Sequence, residues 1–211
     1  MYHKAKRHFK KADPILFAVA KDIDIEDVKV SDDLFRDIVW TIIGQQLSSL
    51  AANAIFARFQ KLFRGKPTTP KRILALKDED MRAAGLSGAK VRAIKNAAEV
   101  VAKGHLDIKL LPTLKDDEII LELTKVKGIG PWTAQMLLMF SLGRPDIFSE
   151  GDLGLKKGII ELYGAKTFAS ERKLARLLAS WSPYRTYAAR ILWEVADRKT
   201  ARIGRSKRPN E

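Results

Sequence analysis

The sequence predicts an all-helical protein. Apolar residues recur every three or four positions through most of the 211-residue chain, which is the period of a helix with one buried face. No segment shows the alternation of apolar and polar residues that a half-buried strand requires. Short turns rich in Gly or Pro separate the periodic segments, and the length suits one compact domain or two closely joined lobes.

The helical period defines eight segments in chain order. They cover residues 32–46, 49–63, 88–103, 116–125, 132–142, 153–163, 171–181 and 184–197. The turn at 65–70 predicts one more helix start at its second proline. Residues 1–12 and 198–211 are strongly basic and are predicted to be tails.

The charge of the chain predicts a polyanionic partner. Lys and Arg number 39 against 25 acidic residues, which gives a net charge of +14 and an isoelectric point near 10.0. Part of this excess lies in the two basic tails, where it would serve solubility alone. The absence of cysteine excludes disulfides and iron–sulfur clusters. No apolar run approaches the roughly 20 residues of a membrane span, so we predict an intracellular protein, in the cytoplasm and nucleoid or in a eukaryotic nucleus.

The stretch 119–143 predicts two helices joined by a tight hairpin. Gly128 and Gly130, one residue apart, permit a close approach of backbone to a ligand. Pro131 suits the first turn of the second helix, and the N–H groups of Gly130 and Thr133 would then lie at a helix N-terminus that binds phosphate. The alternative is a turn with a purely structural role.

The chain beyond the hairpin resembles the helix-hairpin-helix DNA glycosylase superfamily. A loop carries Asp152, which stands 20 residues after Trp132, where the family has an essential aspartate. Similar segments also cover the DNA wedge, a second backbone-binding loop and a closing helix. These segments are 42–48, 84–90 and 181–193. The resemblance spans residues 32–197, and it implies a single glycosylase domain over 1–211 with two helical lobes and an active-site cleft between them.

Within the superfamily, the chain resembles the 3-methyladenine DNA glycosylase II, or alkylbase glycosylase, branch in a minimal form without an N-terminal β-domain. Trp132 stands where bifunctional members carry a Schiff-base lysine, and Trp193 stands where alkylbase enzymes have a pocket tryptophan. The resemblance implies a monofunctional enzyme of base excision repair. It would act as a monomer on double-stranded DNA and release 3-methyladenine or 7-methylguanine type bases. The alternatives are a non-catalytic damaged-DNA-binding protein and a glycosylase for another lesion, such as hypoxanthine.

Asp152 is the expected catalytic residue. Glycoside cleavage builds positive charge on the sugar, which a carboxylate stabilises, and a carboxylate can also activate water. The alternative role is an N-cap for the helix that starts at Leu153, and the two roles are compatible. Glu150 is a rival carboxylate at a different spacing from Trp132, and Gly151 would loosen the loop.

The resemblance also assigns the remaining site residues. Trp132, Trp193 and Phe140 would stack on an electron-poor methylated base, although core packing is an alternative for each. Gln46 and Leu47 are the two choices for the side chain that fills the gap left by the flipped base. The DNA-binding set implied by the resemblance comprises Gly128, Gly130, Thr133, Gln45, Gln46, Leu47, Ser87 and Lys90.

The resemblance implies no organic cofactor. Its one metal expectation is a Na⁺ or K⁺ ion held at the hairpin by the backbone carbonyls of Thr124, Val126 and Ile129. Such an ion would bridge the hairpin to a DNA phosphate. Side-chain types do not test this expectation, because the ligands are main-chain atoms.

Overall fold

The computed structural model describes residues 1–27 and 30–206, with side chains described as far as residue 198. Within these residues the chain forms thirteen α-helices and no strand, which confirms the all-helical prediction. The helices are α1 Tyr2–Ala12, α2 Pro14–Ala20, α3 Leu34–Gly44, α4 Ser49–Lys61, α5 Pro70–Leu74, α6 Asp78–Ala83, α7 Gly88–Ala102, α8 Asp116–Thr124, α9 Pro131–Phe140, α10 Leu153–Tyr163, α11 Ala165–Phe168, α12 Glu171–Trp181 and α13 Arg185–Ser206. None of the described helices has the length and apolar character needed to cross a membrane.

The eight helices predicted from the period are α3, α4, α7, α8, α9, α10, α12 and α13, and the helix predicted after the turn 65–70 is α5. Polar side chains explain where several of them begin, since each accepts a hydrogen bond from an N–H in the first turn. These caps are Asp33, Ser48, Thr69, Ser87, Asp152 and Ser170. Local capping therefore accounts for the close agreement between predicted and observed helix starts.

The segment 1–12, expected as a basic tail, differs from that expectation because it forms α1. Tyr2, Ala5 and Phe9 are buried, and their spacing of three and four places them on one face. The many basic residues of α1 surround this narrow apolar stripe, which is why composition suggested a tail. The expected C-terminal tail, 198–211, begins inside α13, and residues 207–211 lie outside the described part of the chain.

The chain divides into two compact units, of which one is the continuous segment Lys29–Gly143. It contains α3 to α9. Helix α3 packs against α4, α7 and α9, and this central position explains why most of its residues are apolar. Ile38, Ile42 and Ile43 of α3 are fully buried, together with Phe59 and Ile94 from neighbouring helices.

The other unit combines the segments Met1–Val28 and Arg144–Glu211. Helix α10 packs on α13, and α1 packs on α2 and α12. The packing of α10 on α13 is close because Gly158 has no side chain. A Cβ at Gly158 would lie 2.5 Å from the carbonyl oxygen of Leu192, which is closer than real contacts allow.

A buried carboxylate joins three helices of this unit. Asp13 is 6% exposed and caps α2 by accepting from the N–H of Leu16 at 3.0 Å. Its other oxygen accepts from the hydroxyl of Tyr163 and from Nε1 of Trp181, both at 2.7 Å. Burial and the adjacent carboxylate raise the pKa of Tyr163 well above its usual range. Asp13 therefore orients the C-terminal residues of α10 and α12.

We expect Asp13→Ala to lower the free energy of unfolding by about 2–4 kcal/mol, because two buried donors lose their acceptor. Urea denaturation at neutral pH measures this change. The matched control is Asp22→Ala, since Asp22 is exposed, and it should change stability by less than about 0.5 kcal/mol. Equal stability of the two variants would contradict the role given to Asp13.

Candidate functional site

The predicted hairpin is present between α8 and α9, in the unit Lys29–Gly143. Thr124 is the last residue of α8, and Gly130 is the N-cap of α9. Between them, Val126 and Ile129 are buried and close a turn in which the N–H of Ile129 donates to the carbonyl of Val126 at 2.9 Å. Gly128 has a φ of +101°, a conformation that side chains disfavour. The first glycine of the Gly-x-Gly spacing is therefore needed for the positive φ of the turn.

The hairpin backbone lies directly on α7. A Cβ at Gly128 would lie 2.4 Å from the Cβ of Ala93, so only glycine permits this approach. One turn further along α7, Nδ2 of Asn96 donates to the carbonyl of Lys127 at 3.2 Å. Helix α7 itself begins at the predicted backbone-binding loop, where Ser87 is its N-cap. This helix therefore supports the hairpin from one side.

The first turn of α9 carries the residues expected at a phosphate site. Thr133 is buried, whereas Trp132 is half-buried and follows the N-terminal Pro131 of the helix. At the other end of α9, Phe140 is 39% exposed, which is unusual for a phenylalanine that serves only core packing. Phe140 is therefore not a fully buried core residue.

The turn between α3 and α4, residues 45–48, has a strained and exposed tip. Gln46 has a φ of +57°, in the left-handed region that residues other than glycine rarely adopt. Gln46 and Leu47 are both exposed. Leu50, in the first turn of α4, is 83% exposed, and the sequence analysis did not single it out as an exposed apolar residue. Its position off the apolar stripe of α4 could have indicated this exposure.

Gln45 and Lys90, both expected to contact DNA, make hydrogen bonds inside the unit. Nε2 of Gln45 donates to the carbonyl of Gly128 at 3.1 Å and to Oγ1 of Thr133 at 2.9 Å. Nζ of Lys90 donates to the carbonyls of Ile43 at 2.8 Å and of Gln45 at 2.9 Å. Burial lowers the pKa of Lys90 below its usual value. Both side chains thus link the turn 45–48 to its neighbours.

Asp152 lies in the other unit, as the N-cap of α10. Its Oδ1 accepts from the N–H of Leu155 at 2.8 Å and from Nε1 of Trp193 at 2.9 Å. The side chain is half-buried, whereas Glu150 is exposed. Two N–H donors thus hold one carboxylate oxygen at the start of a helix, which fixes the position of the side chain. The N-cap role predicted as an alternative is observed.

A glycine allows the indole of Trp193 to reach this carboxylate. A Cβ at Gly154 would lie 2.7 Å from Cδ1 and 2.9 Å from Nε1 of Trp193. It would also lie 3.1 Å from Oδ1 of Asp152. The first turn of α10 therefore has room for the indole and the carboxylate only because residue 154 lacks a side chain.

The loop before Asp152 is fixed by residues that the sequence reasoning missed. Asp146 accepts from Nε and Nη2 of Arg185 at 2.8 and 2.9 Å, and from Oγ of Ser182 at 2.8 Å. Burial alone would raise the pKa of Asp146, but the bonds from Arg185 and Ser182 outweigh it and lower the pKa. Thr186, next in α13, accepts from the N–H of Ile147 at 3.0 Å. These bonds hold the loop despite Gly151.

The loop before Asp152 and the side chain of Asp152 are both held by residues of α13. Arg185, Thr186 and Trp193 all belong to α13, and Asp152 is thus positioned from two points on one rigid element. A lone Asp and a lone Arg in a basic sequence gave no signal of this ion pair. In the described residues, no group of three or more His, Asp or Glu side chains is placed to hold a metal ion.

Comparison with known proteins identifies the chain's relatives. The family model for HhH-GPD superfamily base excision DNA repair proteins matches residues 39–183. The chain is 36% identical over 169 residues to DNA-3-methyladenine glycosylase 1 of Schizosaccharomyces pombe, a match that covers 77% of this chain and 72% of that protein.

Solved structures give the same result. The crystal structure of a DNA-3-methyladenine glycosidase from Bacillus halodurans is similar with a TM-score of 0.75 and 35% identity, covering 92% of this chain and 91% of that one. The S. pombe 3-methyladenine DNA glycosylase in complex with abasic DNA is similar with a TM-score of 0.81 and 31% identity, covering 90% and 95% of the two chains.

We expect Gly154→Ala to displace the Trp193 indole and break its hydrogen bond to Asp152. The nitrogen-bound indole proton of Trp193, followed by NMR, should shift towards the position of an exposed tryptophan. Crowding should also lower the free energy of unfolding by about 1–3 kcal/mol. The control is Gly151→Ala, because a Cβ at Gly151 meets nothing within 4 Å. An unchanged Trp193 signal in Gly154→Ala would contradict the proposed packing.

Asp146→Asn should destabilise the protein at neutral pH and not in strong acid. Since the folded pKa of Asp146 is lowered, its stabilisation is present above the usual carboxyl pKa of 3.8 and disappears as pH falls through the folded value. Urea denaturation of both proteins over a pH series measures the difference. It should close in acid, and a difference that is constant with pH would overturn the assignment to the Asp146 ion pair.

Proposed function

The chain belongs to the HhH-GPD superfamily of base excision DNA repair proteins, and we propose that it is a monofunctional DNA glycosylase for alkylated bases. It flips a 3-methyladenine or 7-methylguanine type base out of duplex DNA and hydrolyses its N-glycosidic bond. The observation that carries the proposal is Asp152, held at the start of α10 by the N–H of Leu155 and the indole of Trp193. A helix cap accounts for the bond from Leu155 but does not require the second donor, the indole of Trp193, on the same oxygen.

The reaction needs one carboxylate. As the bond from the base nitrogen to C1′ breaks, its electron pair passes to the alkylated base and neutralises the positive charge there. The sugar becomes cationic, and Asp152 stabilises it electrostatically. Water then attacks C1′ and its proton leaves to Asp152 or to solvent. A cationic leaving group requires no separate general acid.

By its resemblance to the superfamily, the chain has Trp132 at the position where bifunctional members carry the Schiff-base lysine of their lyase reaction. We therefore infer that the products are a free base and an intact abasic strand. Trp132 and Phe140 offer aromatic surface at the two ends of α9, and Trp193 brings an aromatic ring to Asp152 itself. Electron-rich rings favour an alkylated, cationic base over a neutral one, by about 0.5–2 kcal/mol per ring.

The hairpin and the start of α7 bind the DNA backbone. Gly130 and Thr133 present N–H groups in the first turn of α9, where a helix supplies no internal acceptor. Ser87 marks the corresponding end of α7. The exposed tip of the turn 45–48, Gln46 and Leu47, enters the space that the flipped base leaves. The protein acts as a monomer, in the cytoplasm and nucleoid or in a eukaryotic nucleus.

A monovalent cation belongs to this proposal. The carbonyls of Thr124, Val126 and Ile129 are oxygen donors of the kind that Na⁺ and K⁺ take, and the first of them ends α8, at the negative pole of that helix. The residues present therefore fit the ion. These carbonyls would hold the ion, and it would supply a positive charge that favours binding of a DNA phosphate.

The test is single-turnover base release from a methylated duplex. Asp152→Asn keeps a side-chain oxygen for the helix cap and loses the charge, so release should fall by about 100-fold or more while duplex binding stays within about twofold. Released base is measured by chromatography, and strand cleavage is followed with and without alkali. The control is Glu150→Gln, since Glu150 is exposed, and it should retain native release rates.

The outcomes separate the alternatives. Base release with strands that break only in alkali supports the monofunctional reaction. Strand cleavage without alkali would refute it. Binding without release from methylated DNA by the native protein would overturn the alkylated-base proposal, and duplexes containing hypoxanthine would then decide between another lesion and a non-catalytic binder.

A further inference from the structure

We propose that Lys90 and Gln45 are positioning residues that couple the turn 45–48 to the hairpin. Through them, the part of the protein that enters the DNA stack and the part that grips the backbone move as one body. This inference rests on the proposed function for its consequence in catalysis, but the coupling itself is a property of the DNA-free protein.

The first link joins α7 to the end of α3. Lys90 lies in the first turn of α7, and its ammonium donates to the carbonyls of Ile43 and Gln45 at 2.8 and 2.9 Å. These carbonyls belong to the last turn of α3 and the residue after it, where a helix leaves acceptors unpaired and its dipole is negative. A cation at this position fixes the backbone from which the turn 45–48 departs.

The second link joins that turn to the hairpin. The amide nitrogen of Gln45 donates both to the carbonyl of Gly128 and to the hydroxyl of Thr133, so one side chain spans the two sides of the Gly-x-Gly turn. Thr133 is 4% exposed, and its bond with Gln45 is part-buried, whereas the bond of Gln45 to the carbonyl of Gly128 is exposed. The main chain of Gln45 is held by Lys90, and its side chain holds the hairpin.

The third contact closes the arrangement. Gly128 lies against Ala93, one turn after Lys90 on the same helix. Helix α7 therefore touches the hairpin directly and touches the turn 45–48 through Lys90. Turn, hairpin and helix form a triangle in which each pair is in contact, and removal of either side chain opens one side of it.

This geometry assigns Lys90 a role different from a phosphate contact. Two of its three N–H donors are directed at carbonyls of the protein. A lysine that neutralises a phosphate releases counterions, and its loss reduces the salt dependence of duplex binding by about 0.9 in the log–log slope. A positioning lysine leaves that slope unchanged.

Hydrogen exchange of the DNA-free protein, followed by mass spectrometry, tests the coupling. Lys90→Met keeps the length of the side chain without its charge, and Gln45→Leu removes the bridging amide. Each variant should speed exchange about tenfold in both the turn 45–48 and the hairpin 126–134, because each opens the same triangle. The matched control is Lys109→Met, since Lys109 is exposed on the surface of the same unit, and it should change neither segment.

The two substitutions should also be non-additive. If both act through one link, the double variant exchanges no faster than about twice the faster single variant in either segment. Faster exchange confined to residues near each substitution, with the hairpin unchanged in Lys90→Met, would overturn the coupling. If Lys90→Met does not fold, hydrogen exchange of Gln45→Leu in the turn 45–48 and the hairpin 126–134 still tests the coupling.

Base release supplies the functional readout. For both variants the single-turnover rate should fall about tenfold at saturating methylated duplex, with the binding constant within about twofold and the salt slope unchanged. A salt slope reduced by about one in Lys90→Met, with native release from bound DNA, would make Lys90 a phosphate contact. Because exchange is measured without DNA, failure of the glycosylase proposal leaves the coupling test intact.

Discussion

One oxygen of Asp152 receives both the first-turn N–H of α10 and the indole of Trp193. This double contact ties the start of one helix to the middle of another, and much of the surrounding structure exists to permit it. Gly154 leaves space for the indole, Gly158 lets the two helices approach, and the ion pair of Asp146 with Arg185 holds the loop that delivers the carboxylate. A flexible loop sequence thus becomes a rigid support through contacts made by its neighbours.

In the unit Lys29–Gly143, contacts with neighbouring residues likewise fix the position of the hairpin backbone. The N–H groups at the start of α9 belong to the main chain, so their positions depend on how the backbone of the hairpin packs. The structure sets that position by close packing of Gly128 on Ala93 and by the amide of Gln45. Both units therefore use glycine for close approach rather than for flexibility.

The sequence predicted the helices that carry strong periods and side-chain caps, because both signals are local. It also placed Asp152 at a helix start, where the structure has it. It missed α1, since five basic residues concealed a three-residue apolar stripe. It gave no sign of the Asp146 ion pair or of the bonds from Gln45 and Lys90, because partners 39 to 88 residues apart become neighbours only through tertiary packing.

The unit that holds Asp152 is discontinuous in the chain, and this has a consequence for biosynthesis. Its first segment must wait for contacts such as those of Tyr163 and Trp181 with Asp13, which close loops of 150 and 168 residues. The unit Lys29–Gly143 is continuous, so its internal contacts need no residue that follows Gly143 in the chain. The nascent chain therefore has every residue of the hairpin unit before it has the residues that support Asp152, so an unfinished chain lacks that support.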